Sequence, residues 1–137
     1  MFPTSLFSLR VRPRTGSIMA HECMHAYLRL SGFQTNASAS ADTSDFELPP
    51  QVEEGLCQLI ALLWLEQAGA AIMHADKKQA RETAAFEERL SAFFGHAIQT
   101  DASVVYGDGF RTALARFQRT GGRMEALLDH LRRKGSL

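Results

Sequence analysis

The sequence predicts a mainly α-helical chain of about five helices. Two observations carry that expectation. Apolar residues recur at three- and four-residue intervals along most of the chain, and glycines or prolines fall between those stretches, at Gly32, Pro49-Pro50, Gly107, Gly109 and Gly121-Gly122. Alternation of the strand type occurs in one short place, from Leu6 to Arg12. At 137 residues the chain is one domain's worth and long enough for a single hydrophobic core.

The N-terminal "MFPTSLFSLRVRPRTGS" admits two readings. Leu9 and Val11 alternate with Arg10 and Arg12, which suits a short strand, whereas a segment rich in arginine and serine with no acid has the composition of an organellar targeting peptide. The first helix is expected from Ser17, a good N-cap, to Ser31, with Gly32 as its stop. Residues 34–48 mix Ser, Ala, Thr, Asn and Asp without periodicity and read as a loop. "LPP" then announces a second helix, about Gln51 to Gln67, whose apolar residues point in almost every direction and so require burial on all sides. A third helix, about Lys78 to Ile98, carries Phe86, Leu90, Phe93, Phe94 and Ala97 on one stripe. "VVYGDGF" interrupts it with two glycines. A fourth helix, about Phe110 to Gln118, leads through "TGG" to a fifth, about Met124 to Arg133.

Composition narrows the functional classes. Fifteen basic and fifteen acidic residues cancel, so no global field draws the protein to nucleic acid or to an anionic membrane. Two cysteines, Cys23 and Cys57, are too few for a disulfide framework and suit a reducing, cytoplasmic setting. Both read as small buried hydrophobes close to the helices discussed next. The longest apolar run, "LCQLIALLWL", is too short to span a bilayer.

The chemistry concentrates in "HECMH". On a helix, residues i and i+4 share a face, so His21 and His25 can present nitrogens to one metal ion. Two ligands on one rigid helix bring zinc within its ordinary imidazole distance of about 2.0–2.1 Å with little entropy left to lose. Glu22 lies to the side, where it can take a proton from water that zinc has made acidic. Catalytic zinc takes a third protein ligand and keeps one position open. "PPQVEEGLCQLIALLWL" offers Glu53 and Glu54 at the start of a helix otherwise expected to be buried, where an ionised carboxylate is costly unless paired or metal-bound. The residues alone do not choose between the two. His74, His96 and His130 read as surface or packing residues. The bland alternative is an amphipathic helix with satisfied histidines and no metal.

"TGSIMAHECMHAYLRLSGF", "VEEGLCQLIALLWLE" and "VVYGDGFR" resemble, in order from about Arg14 to about Leu131, the C-terminal peptidase domain of the plant LIM-domain proteins, the ubiquitin-activated DA peptidases. More broadly, a histidine pair on one helix and glutamate followed by glycine on the next is similar to the gluzincin class of zinc peptidases. The resemblance implies a zincin-like fold around the histidine helix, with the N-terminal strand as a remnant of the family's sheet. It implies zinc held by His21, His25 and Glu54, with Glu22 as general base and Glu53 as a supporting or substrate-facing carboxylate. It also suggests Tyr106 as a hydrogen-bond donor to the oxyanion; the alternative is that Tyr106 to Gly109 only build a tight turn and N-cap. The implied substrate is a polypeptide, with ubiquitin-pathway proteins the family's analogy.

The chain departs from that pattern in three ways. It carries neither ubiquitin-interacting motifs nor LIM modules, and two cysteines cannot build one LIM finger. The family's peptidase domain is expected to begin further upstream, in sheet that would align a substrate as an added strand. The 34–48 loop is also longer than the resemblance leads one to expect. A second reading from another class therefore stands beside the peptidase: a shortened zinc-binding module, catalytically weak, that binds partners or regulates.

Overall fold

The computed structural model describes residues 12–33, 47–72 and 78–137, and within them it is helical with no sheet. The helices are α1 (Arg12–Leu30), α2 (Pro50–Ile72), α3 (Lys78–Thr100), α4 (Gly109–Arg119) and α5 (Met124–Lys134). A single π-helical turn, Val104–Asp108, joins α3 to α4.

α1 begins several residues before Ser17. Pro13 sits in its first turn, where a missing N–H costs nothing, and it is buried. Ser17 is therefore not an N-cap: it is buried in the helix, and its hydroxyl donates back to the Arg14 carbonyl at 2.8 Å. The strand expected up to Arg12 falls on residues 1–11, outside the described residues, while Arg12 itself opens α1. The other end is as expected. Gly32 has φ +84°, and the Phe33 and Gly32 amides donate to the carbonyls of Leu28 and Arg29 at 3.0 and 3.2 Å. Those two reverse bonds close a Schellman turn that only glycine enters without strain. Phe33 and Leu28 are both buried there, and the Arg132 guanidinium lies over the Phe33 ring.

α2 is the central helix and packs against α1, α3, the π-helical turn and α4. Leu56, Cys57, Leu59, Ala61, Leu62 and Leu65 are all buried, which accounts for its lack of a polar face. It continues past Gly69 to Ile72, so one glycine was not enough to stop a helix already paired along its length. Two close approaches fix its neighbours. A Cβ on Gly55 would collide with the Gly109 carbonyl, and a Cβ on Gly16 with the Trp64 ring. The start of α4 thus lies directly against the turn of α2 that carries Glu53 and Glu54.

The orientation of α3 differs from expectation. Glu87, Ser91 and Gly95 are buried, and a Cβ on Gly95 would lie 3.3 Å from Leu62 Cδ1. Phe86, Phe93 and Ala97 are exposed, Phe93 by 64%. The buried edge runs i, i+4, i+8 through small and polar residues because close contact with α2 selects small side chains there. The core is completed by Met24 and Leu28 of α1, Leu48, Phe110 and Ala113 of α4, and Leu127, Leu128 and Leu131 of α5. Leu48, expected in the loop, is fully buried; residues 34–46 lie outside the described residues.

Candidate metal centre

The face of α1 that meets α2 is set by the four-residue rise through Pro13, Ser17, Ala20-His21, Met24-His25 and Leu28. Both histidines therefore turn toward the first turn of α2. There the Pro49 carbonyl accepts from the amides of Val52 at 2.9 Å and Glu53 at 3.1 Å, starting the helix so that two adjacent glutamates face α1.

Glu53 is 6% exposed, and its Oε1 accepts from His25 Nδ1 at 2.7 Å. A carboxylate only accepts, so a proton sits on Nδ1, and in the neutral ring His25 Nε2 is left as a lone pair. That lone pair lies 3.2 Å from His21 Nε2 and 3.5 Å from Glu54 Oε2. His21 Nε2 in turn lies 3.2 Å from Glu54 Oε2. With both imidazoles neutral, the form in which they bind a metal, His21 has one N–H to give, so the three atoms share at most one proton. Glu54 Oε2 is buried and accepts no hydrogen bond despite its nearness to both rings. Three convergent donors of electrons with too few protons are what a cation would satisfy.

Cys57 stands one turn beyond Glu54 on α2. Ligand atoms from His21, His25, Glu54 and Cys57 all lie within 4.8 Å of one another, close enough to hold one metal ion. The thiol is fully buried, and its pKa is raised well above the ordinary cysteine value. Burial is the main cause, followed by the negative charges of Glu54, Glu53 and Glu22. Cys23, by contrast, is exposed, so the expectation of two buried cysteines holds for one. It falls on the outer face of α1, two residues from His21.

Beside the cluster a cleft of about 360 Å³ runs between α1 and α3 over a floor from α2. Ser17, Ile18, His21 and Glu22 form one wall, Phe94, Ala97 and Ile98 the other, Gln58 and Ala61 the floor, with Asp101 at one end. Glu22 is exposed and reaches this cleft, one residue from His21. Asp101 is held below its ordinary carboxylate value, chiefly by hydrogen bonds from Ser103, whose amide donates to Oδ1 at 2.7 Å.

Tyr106 sits in the π-helical turn, 41% exposed, and is not among the residues lining the cleft. Its turn is built locally. The Ser103 hydroxyl accepts from the amides of Tyr106 and Gly107, and Arg111 binds the Asp101 carbonyl at 2.9 Å and the Asp108 carboxylate at 2.6 Å. The cap is thus Ser103, and Asp108 makes an ion pair instead of capping α4. His96 is exposed and His130 half-buried, and neither belongs to the cluster; His74 lies outside the described residues. The sequence reading missed Cys57 as a member; its i+3 spacing from Glu54 was the available signal.

The family described as DA1-like, Protein DA1, matches residues 6–134. Among curated proteins, the chain is 37% identical to Protein DA1-related 1 of Arabidopsis thaliana over 149 residues, covering 97% of this chain and 24% of that protein. Protein DA1 of the same plant is 36% identical, covering 96% and 24%. LIM domain-containing protein HDR3 of Oryza sativa subsp. japonica is 34% identical, covering 96% and 28%. The chain spans about a quarter of the length of the curated relatives it matches. No solved structure matches it.

Proposed function

Because the chain belongs to the DA1-like family, we propose that it is a zinc-dependent peptidase domain acting on polypeptides, in which His21, His25 and Glu54 hold the metal. The observation that carries the reading is the proton deficit at the cluster: three converging atoms, one of them a buried carboxylate oxygen with no hydrogen bond. When bound there, zinc would polarise the scissile carbonyl and lower the pKa of a coordinated water toward about 7.

The protein's own residues supply the rest. Glu53 fixes the tautomer and orientation of His25 through the 2.7 Å bond, so that Nε2 is presented as a lone pair. Glu22, exposed in the cleft wall beside His21, is placed to take a proton from water and pass it to the leaving amine. The apolar walls, Ile18, Phe94 and Ile98, give a polypeptide side chain a place to lodge beside those groups. Tyr106 is assigned the oxyanion contact on the family resemblance alone; its turn packs against α2, and its side chain is exposed. Ubiquitin-pathway proteins are the substrates the family analogy suggests. No helix among the described residues is long and apolar enough to cross a membrane, and the balanced charge offers nucleic acid no field.

The test pairs cleavage with metal content. Glu22→Gln should abolish peptide-bond cleavage while zinc stays bound at the wild-type level. Cleavage that persists in that variant, with the same zinc content, rejects Glu22 as the base.

A further inference from the structure

Cys57 is the one member of the four-residue cluster to which the peptidase chemistry gives no role. It follows Glu54 by three residues, so one helical turn puts both on the α1-facing side of α2. Its side chain is fully buried, and it does not line the cleft that His21 and Glu22 line. The sulfur therefore reaches the centre from the interior, while Glu22 and the cleft lie on the outer side.

We propose that Cys57 is a fourth protein ligand to the metal, completing a His21, His25, Glu54, Cys57 set. This rests on the reading that the cluster binds zinc, but not on Glu22 being a base. Zinc bonds sulfur at about 2.3 Å and imidazole at about 2.0–2.1 Å, so donors around one tetrahedral ion stand roughly 3.3–3.7 Å apart. The four ligand atoms lie within 4.8 Å of one another, a little wider than that shell. As the metal binds, the S–H bond breaks, its proton leaves to solvent, and the sulfur electron pair forms the bond to the ion. The cation takes over the compensation that the buried thiol otherwise gets from its proton.

Four protein donors make a closed tetrahedral shell, the arrangement of structural zinc rather than of a catalytic ion with an open position. The consequence is a site that holds metal tightly and turns over slowly until the sulfur yields its place. Release of Cys57 would then be the step that opens the centre to water from the cleft.

Cobalt(II) substitution reads the ligand directly, because thiolate bound to cobalt gives a near-ultraviolet charge-transfer band that nitrogen and oxygen ligands do not. The wild-type cobalt protein should show that band. Cys57→Ser, which keeps the volume of the side chain, should lose it while still binding one cobalt, and should bind zinc at least tenfold more weakly. Cys23→Ser should keep it, which excludes the exposed thiol as its source. Fully loaded wild-type protein without the band overturns the proposal, whether or not the variants fold. The assignment of Glu22 as base fails separately: the band is then present, but Glu22→Gln cleaves as fast as wild type. Wild-type protein that takes up neither cobalt nor zinc rejects both.

Discussion

Replacing Glu54 with glutamine should stabilise the metal-free protein and impair the metal-loaded one. Glu54 Oε2 is buried without a hydrogen bond, 3.2 Å from His21 Nε2 and 3.5 Å from His25 Nε2. An unsatisfied buried acceptor costs about 1–3 kcal/mol. Glutamine has the same length, and its amide N–H can donate to a histidine lone pair where the carboxylate cannot. The gain should be about 1–2 kcal/mol, which for a chain of this size raises Tm by roughly 3–6 °C. Zinc affinity should fall at least a hundredfold, about 2.7 kcal/mol, because a ligand is lost. Glu53→Gln gives the opposite sign without metal. It weakens the charge-assisted bond to His25 Nδ1 and should destabilise by about 1 kcal/mol. Its effect on zinc should be about tenfold, the lower end for a residue that orients a ligand, since glutamine still offers an oxygen to Nδ1–H. Thermal unfolding followed by circular dichroism, with a chelator and then with saturating zinc, measures the first pair of quantities; competition with a chromophoric chelator measures the second. A Glu54→Gln protein that melts below wild type in chelator refutes the proton-deficit argument. A larger zinc defect in Glu53→Gln makes Glu53 the ligand.

Two further outcomes test how the fold positions the site. Gly55→Ala should cost about 2–3 kcal/mol in denaturant unfolding and weaken zinc binding as well, because its Cβ meets the backbone carbonyl of Gly109, which cannot move aside. Gly95→Ala is the control: its nearest neighbour is the flexible end of Leu62 at 3.3 Å, and the gain in helix propensity should leave stability within about 1 kcal/mol of wild type. Asp101 supplies a pH dependence. Its folded pKa is depressed from 3.8, so its stabilising effect is complete above that value and is lost as pH falls through the lower folded one. Unfolding of Asp101→Asn should therefore differ from wild type at neutral pH and converge with it in strong acid.

Much of the centre was legible because it depends on local geometry. The i, i+4 histidines and the glutamates in a helix's first turn share faces by helix period alone, and the structure brings His21, His25 and Glu54 together as that period demands. Glu53, read as a supporting or substrate-facing carboxylate, is hydrogen-bonded to His25. What failed depended on neighbours. Ser17 has the chemistry of an N-cap, yet Pro13 starts the helix earlier and tertiary packing buries the serine inside it. The aromatic stripe of α3 has the right period for a core face, but α2 comes so close that Ser91 and Gly95 fit and Phe93 does not. Cys57 is buried as its composition suggests, but composition cannot tell a thiol that only packs from one whose sulfur also lies among histidine and carboxylate ligand atoms. The order in which Glu22, His21 and the cleft follow one another around α1 emerges only when α2 and α3 are in place.

The central claim is that one zinc ion bridges α1 and α2 through His21, His25 and Glu54. Metal content of the purified protein tests it most directly. The account predicts about one zinc per chain in wild type and none retained after dialysis in either His21→Ala or His25→Ala, since each variant loses a ligand from the shared face. Full zinc occupancy in both variants would contradict it and place the metal, if any, elsewhere in the chain.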